Sequence, residues 1–586
     1  MKLTKITLAL ALIVSAPTMA AKFNAISAPA AQGQLGSVVV NPYGTSPQTA
    51  IVDLGGYEVN WAKVVVHGKD KDGVDIKYDV SRETILDHNG IPIFGLYADF
   101  DNKVTLTYKK NGKHVIEDYS IYTQPRTGGA SVNGMKLNFP KVTPIKVDEK
   151  FKDRLYLINY IMPVEGSTAV TWTGGMGALE WDRHPVTFIT DTQGETRWSL
   201  DVSDIHDVKH LEKRGIVMGI HQMDNGDIIF GQGMKIFRMT MMGETVFEWN
   251  LPRGYQDFSH DMQLMENGNY LVRAAKTSYL REDGLRVHTV RDQILEIDPT
   301  GKLVEVWDLN KILDNMRDSH LVALDAGAVC LNIDDEKMGK KAKIEPDAPY
   351  GDIPGVGAGR NWAHVNSVEY DPADDSIILS LRHQGNVKIG RDKEVKWILS
   401  PREGWTGDLA KKVLQPVNSN GDEIQCTEKG LCEDPSKFDF TYTQHTTWLT
   451  GKEEGDDEVS IVSFDNGDGR FYDQPTFPTD KYSRGVEFLI NEDDMTVEQR
   501  WQYGQERGFE WYSVVTSNIS YEKDRDTMFM YSANTKMSEP KELTVGILNE
   551  VRDGTHDVKV ELHVTSPMPR STGYRAVIID PNKTIK

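Results

Sequence analysis

Apolar and polar residues alternate with a period of two along most of this chain, and stretches with helical periodicity are scarce. In the first quarter, short apolar runs cover 37–40, 63–67 and 104–108, and the last is followed by Asn111-Gly112 and a return segment through Val115. Asn-Gly between two alternating segments predicts a tight hairpin. Several short strands separated by turn residues predict a small β-sandwich over 21–150. The proline-containing segment 139–144 then separates it from the remainder, with the boundary near residue 150.

Beyond that boundary the pattern repeats imperfectly. One unit opens at His221 and continues through 235–239 to Trp249, a second opens at His260 and runs through 292–298 to Trp307, and a third opens at His364 and runs through 376–382 to Trp397. Each reads strand, turn, strand, strand, turn, strand, which is the blade of a β-propeller. The stretch 151–586 accommodates six blades of about 70 residues each if long loops are included. The fold class expected is therefore all-β, a six-bladed β-propeller preceded by a small N-terminal β-sandwich. The excess length falls at 334–360, 401–440 and 465–484, and two of these loops precede His364 and His445. Only 308–317 and 407–413 are expected to be helical. Trp249, Trp307 and Trp397 recur at blade ends as packing residues.

Residues 1–20 change the picture of where the protein works. Lys2 and Lys5 precede an apolar run from Ile6 to Val14 and small residues up to Ala20, the pattern of a secretory signal peptide. The run is short for a bilayer span and none longer follows, so no membrane association is expected. The formal charge is −21 with no basic stripe, which argues against nucleic acid as a partner. An anionic ligand would need a local, buried cationic site. In an oxidising compartment Cys426 and Cys432, with five residues between them in a polar loop, are the pair most able to bridge, whereas Cys330 sits in an apolar run as a buried thiol.

Candidate chemistry comes from the register of the histidines. His221, His260, His364 and His445 each stand where a blade opens, and propeller geometry gathers such positions around one axis. A lone histidine at a strand start is usually structural, and His221, followed only by a turn, stays the weakest of the four. His445 lies in an alternating segment, 441–450, whose inward face is polar; strand periodicity puts His364 and Asn366 on one face. Arg382 ends the apolar run 377–381, and a buried arginine needs an anion. Three histidines could also ligate zinc. A neighbouring Arg382 repels a cation and suits a tetrahedral oxyanion, so neither a metal nor a cofactor is expected. The glycine runs 174–177 and 355–359 lack the context of phosphate loops.

The segments 361–372, 380–384 and 442–446, with the Cys426…Cys432 loop and Tyr574-Arg575 near the end, resemble the signatures of bacterial periplasmic arylsulfate sulfotransferases. The resemblance spans essentially the whole mature chain. It implies a six-bladed propeller with a small N-terminal β domain, a periplasmic homodimer, a phenolic sulfate donor and a phenol acceptor, and no phosphoadenosine donor. A disulfide in that compartment implies a periplasmic thiol oxidase as a further partner. By the family's pattern His445 is the nucleophile that becomes transiently sulfated in a ping-pong mechanism, while His260, His364, Arg382 and Asn366 hold the sulfuryl oxygens or assist proton transfer. Thr516 or Ser517 could add a hydroxyl, and rim aromatics such as Trp362 would favour phenol over water. One departure is Ser259-His260-Asp261, where the family often has paired histidines before the aspartate. The alternatives are a propeller hydrolase acting on aryl sulfate or phosphate esters, and a non-catalytic ligand-binding propeller.

Overall fold

The computed structural model describes residues 35–110, 112–126, 128, 131–132, 135–163, 183–201, 216–280, 284, 286–324, 328–329, 332–333, 340, 362–473, 478–537, 539, 542–569 and 571–585. Residues 1–20, expected to be a signal peptide, Asn111, both glycine runs, Cys330, Asn361 and nearly all of the 334–360 loop lie outside them. The fold is all-β.

Near the N-terminus, Val38–Val40, Thr49–Val52 and Ile91–Phe94 form one antiparallel sheet. Ile76–Ser81, Val59–Val66, Phe100–Lys110 and Lys113–Thr123 form a second, in that order. Strand Ile76–Ser81 buries every other residue, as the sequence alternation requires. Lys110 pairs with Lys113, and Gly112 takes a φ of 75° at the hairpin turn between them. The inner faces share one apolar core that includes Val52, Val64, Tyr78 and Leu106.

From residue 141 on, the described residues form six sheets of four or five strands, numbered I to VI here, and a two-stranded one of Ala328–Val329 and Asn332–Ile333. Sheet I joins the end of the chain to the start of this region: Thr572–Ile579 pairs with Leu155–Pro163, followed outward by Arg183–Asp191 and Thr196–Leu200. Sheet II runs through Val217–Gln222, Ile228–Gln232, Lys235–Met239 and Thr245–Asn250. In sheet III, Met262–Leu264 and Tyr255–Gln256 both pair with Tyr270–Leu280, beyond which lie Arg286–Ile297 and Leu303–Asp308. Sheet IV comprises Val365–Asp371, Ser376–Leu381, Gly385–Gly390 and Val395–Leu399. Sheet V runs from Thr446–Leu449 through Glu458–Asp465, Arg484–Asn491 and Thr496–Tyr503 to Gln415–Val417, which pairs in parallel. Sheet VI runs from Asn518–Glu522 through Thr527–Thr535, Val545–Arg552 and Val558–Thr565 to Lys141–Val147. Lys141–Val147 thus precedes the boundary expected near residue 150 yet pairs with the far end of the chain.

The opening strands of sheets I to VI touch in succession. The circuit closes where the Asn518 side chain exchanges two hydrogen bonds with the backbone of Ala576. Between sheets, Trp198, Trp307, Trp362, Trp397 and Trp511 are fully buried. Their indole N–H groups find acceptors, such as the Gly390 carbonyl for Trp307 and Glu492 for Trp397, as buried indoles require.

Two helical segments coincide with the sequence expectation, Leu309–Ile312 within 308–317 and Gly407–Ala410 within 407–413. Two further α-helices, Arg82–Asp87 and Pro581–Thr584, correct the view that only those stretches are helical. Arg82–Asp87 starts at Ser81, whose side chain accepts the Thr84 N–H, a local cap that outweighs the surrounding strand pattern. Pro581 opens the other behind Asp580, which caps Asn582.

Candidate active site

The residues that stand just before the opening strands of sheets III, IV and V are His260, His364 and His445. They are 7%, 4% and 3% exposed, and Arg382, which follows strand Ser376–Leu381, is 2% exposed. The backbone is held in the left-handed region at His260 (φ 71°), His364 (55°), Thr443 (54°), Thr516 (61°) and Ser517 (83°). Such conformations cost free energy for non-glycine residues and persist where surrounding contacts over-determine them. The His260 ring centroid lies 5.0 Å from that of His364 and 5.9 Å from that of His445. The two Nε2 atoms of His260 and His364 are 3.3 Å apart, so one of them carries a hydrogen shared with the other.

His445 Nδ1 lies 3.0 Å from the Ser517 carbonyl oxygen. A carbonyl can only accept, so Nδ1 carries the hydrogen and a neutral ring keeps its lone pair on Nε2. Burial, reinforced by the Arg575 and Arg382 guanidiniums, pushes the His445 pKa well below the ordinary imidazole value. His364 is depressed in the same way by burial, then by His260, His383 and Arg382. Both rings are therefore neutral at neutral pH. Thr516 Oγ1 lies 2.6 Å from the Val515 carbonyl oxygen and 2.9 Å from that of Gly573, and Ser517 Oγ donates to Ser513 Oγ and accepts from the Ala533 N–H, so both hydroxyls are engaged by the protein's own groups. It is the Ser517 backbone that reaches the site.

Arg382 donates to the carbonyls of Thr443 and Val514 at 3.3 and 3.4 Å, and its Nε has no partner. It forms no ion pair among the described residues. Asn366 marks a bulge in the pairing of Val365–Asp371, which breaks the two-residue alternation expected to place it beside His364. Its Nδ2 donates to the Gln444 carbonyl, next to His445, and its Oδ1 is buried without a partner. His221 is partly exposed and hydrogen-bonds Asp261 at 3.0 Å, apart from the other three. Trp362 is fully buried with its N–H on Asn310, so the reading of it as a rim residue that meets a phenol is corrected. Cys426 and Cys432 form a disulfide. The loop between them supplies the Lys429 carbonyl to Tyr442 Oη, three residues before His445.

Several groups at the centre were not singled out from the sequence as site residues. The Tyr574 ring lies 5.4 Å from that of His445, and its hydroxyl is buried without a partner. Arg575 donates to Asp261 at 2.6 Å and to the Asn366 carbonyl at 2.5 Å. Arg273 donates to Ser259 Oγ, which contacts His260 Nδ1 at 2.8 Å. The His383 ring is 5.1 Å from that of His364. The cue that flagged Arg382, a permanent cation in an apolar strand, is present at Arg273 and Arg575 too.

A family model described as Arylsulfotransferase (ASST) matches residues 141–575, and one described as Arylsulfotransferase Ig-like domain matches 37–124. The chain belongs to the arylsulfotransferase family. The curated arylsulfate sulfotransferase AssT of Escherichia coli O6:H1 is 47% identical over 596 residues, covering 99% of this chain and 98% of that protein. Its namesake in Lelliottia amnigena is also 47% identical, covering 94% of each. Among solved structures, a protein of unknown function from Bacteroides caccae (9% identity, TM-score 0.34, 73% of this chain and 98% of that one) and TolB from Acinetobacter baumannii (8%, 0.29, 83% and 82%) are distant likenesses that add nothing to the assignment. Among the described residues, no helix is long and apolar enough to cross a membrane.

Burying neutral imidazoles makes the arylsulfotransferase fold sensitive to acid. His320, whose Nε2 donates to the Asp468 carbonyl, has its pKa lowered by burial from 6.5 to about 4. Between those values the unfolded chain binds more protons than the folded one. Stability is thus complete above pH 6.5 and is lost as pH falls toward 4. One such group is worth roughly 3 kcal/mol across the window. The thermal midpoint is expected to fall steadily from pH 7 to 4.5, and less so in His320→Gln; a flat profile would contradict the neutral-imidazole assignment.

Proposed function

We propose that the chain is an exported arylsulfate sulfotransferase that transfers the sulfuryl group of a phenolic sulfate ester to a phenol, in two half-reactions through a sulfated His445. The observation that carries this reading is a buried, neutral imidazole with its lone pair on Nε2, set beside an Arg382 guanidinium that forms no ion pair among the described residues.

In the first half-reaction the Nε2 lone pair of His445 attacks sulfur, the N–S bond forms and the S–O bond to the aryl group breaks. Arg382 offsets charge on the sulfuryl oxygens, a problem of positioning and electrostatics akin to phosphoryl transfer. The Ser517 carbonyl accepts the Nδ1 hydrogen and stabilises the positive charge that builds on the ring as the N–S bond forms. The His260–His364 pair enters the step with one proton more than two neutral rings, hands that proton to the departing phenolate, and takes it back from the incoming phenol, whose oxygen attacks sulfur as the N–S bond breaks. Asn366 holds the Gln444 carbonyl and so keeps the segment before His445 in place. Burial of the site groups limits access of water, the competing acceptor.

In the same reading the six sheets are the blades of a six-bladed propeller over 151–586, closed by Thr572–Ile579. Residues 21–150 are an N-terminal β-sandwich, and 1–20 a signal peptide that directs a homodimer to the periplasm. The test is steady-state kinetics of the mature protein with 4-nitrophenyl sulfate and phenol. Phenol-dependent release of 4-nitrophenolate with parallel double-reciprocal lines supports transfer. Release independent of phenol would make it a hydrolase, and a folded protein with no release would make it a binding protein.

A further inference from the structure

Three arginines surround the histidine cluster, and they differ in what balances them. Arg273 faces Asp292 at 3.6 Å and Asp257 at 3.9 Å. Arg575 is paired with Asp261 at 2.6 Å. Arg382 forms no ion pair among the described residues. Nearby, Lys481 is held by Asp468 at 2.6 Å. Arg317 directs its donors to Gln384, Ser400, Tyr472 and the Glu403 carbonyl and stacks on Trp405, so its charge is turned away from the site. Of the three arginines, Arg382 is the one with no carboxylate within ion-pair distance among the described residues.

Asp261 is what keeps Arg575 from being a second such arginine. It is fully buried, follows His260 directly, and accepts from Arg575, His221, the Val368 N–H and the Trp448 indole. Its carboxyl is held below the ordinary range despite burial, chiefly by Arg575, so it is charged. The neighbouring Glu369 has its pKa pushed up to about 8 by burial and is mostly protonated at neutral pH, so it adds little charge. Arg575 in turn holds the Asn366 carbonyl and lies near enough to His445 to depress its pKa, and its Nε is buried without a partner. Without its carboxylate, Arg575 would present a second full charge to whatever anion sits against His445.

We propose that Asp261 sets the charge selectivity of the sulfuryl site: by pairing with Arg575 it leaves Arg382 as the one guanidinium free to meet the ligand, which suits the monoanion of a sulfate ester and disfavours the dianion of a phosphate ester. Sulfate and phosphate monoesters share tetrahedral shape and oxygen acceptors, so charge is the property left to tell them apart. Asp261 touches no reacting atom and acts through Arg575; it is a positioning residue. The inference rests on the sulfuryl-site reading given above.

The test is calorimetric binding at pH 7, with 4-nitrophenyl sulfate as the monoanion and 4-nitrophenyl phosphate as the dianion, to His445→Asn protein, so that no turnover occurs. With Asp261 intact the sulfate ester is preferred. Adding Asp261→Asn shifts the preference toward the phosphate ester by about tenfold, the scale of one unit charge acting on one additional charge across a partly screened site. A variant merely disturbed in structure would lose both ligands together. Should Asp261→Asn not fold, Arg575→Gln with Asp261 retained has the opposite sign, weakening the phosphate ester more than the sulfate ester. Equal changes for both esters would overturn the inference while leaving the sulfuryl-site reading intact. Failure of the Asp261-intact protein to bind 4-nitrophenyl sulfate at all would overturn that reading as well.

Discussion

Replacing His445 with asparagine is expected to reduce phenol-dependent turnover by about 10⁴-fold or more, the cost typical of removing a nucleophile whose partners remain in place. The ring is buried and fixed through Nδ1 by the Ser517 carbonyl, and no other imidazole has its lone pair shown by that contact to face the cluster. Asparagine can still donate to that carbonyl, so the fold is expected to survive. The loss should appear in kcat with little change in donor affinity, because the sulfuryl group is held by other residues. Retention of more than a few per cent of the activity would remove His445 from the nucleophile's role.

The second large effect is at Arg382, and it has two parts of opposite sign. Arg382→Gln is expected to lower kcat/KM for 4-nitrophenyl sulfate by about 10³-fold, since a preorganised donor to transition-state charge is worth that much in a dry site. The same change is expected to leave the thermal midpoint unchanged or raise it. A buried guanidinium that meets only two long carbonyl contacts and leaves Nε unpartnered is costly to the empty protein. Arg382→Lys keeps the charge and loses the planar fork, so it should recover only part of the activity. A variant that lost stability as well as activity would mark Arg382 as a structural residue.

The sequence made the strands and the histidine register legible because both rest on local periodicity. Val59–Val66, Phe100–Lys110 and Ser376–Leu381 alternate or run apolar in the ways that short strands do. His260, His364 and His445 stand one or two residues ahead of opening strands, so a repeat alone places them together. What the pattern did not carry are features fixed by distant pairing or by local departures from it. Tyr574 and Arg575 enter the site only because Thr572–Ile579 pairs with Leu155–Pro163, some four hundred residues earlier in the chain. The bulge at Asn366 depends on backbone geometry that a period of two conceals. Ser517 contributes a carbonyl, and main-chain groups leave no trace in residue type. The short helix Arg82–Asp87 was hidden because six residues are too few to establish a helical period, though Ser81 and Thr84 carried its cap.

The most direct test of the account is to mix the mature protein with 4-nitrophenyl sulfate in the absence of phenol, quench within milliseconds at alkaline pH, and map the peptides by mass spectrometry. The account predicts a stoichiometric burst of 4-nitrophenolate and one added sulfuryl group per chain, confined to the peptide containing His445 and discharged on adding phenol. A burst with no modified peptide, or the sulfuryl group on His260 or His364 instead, would contradict it.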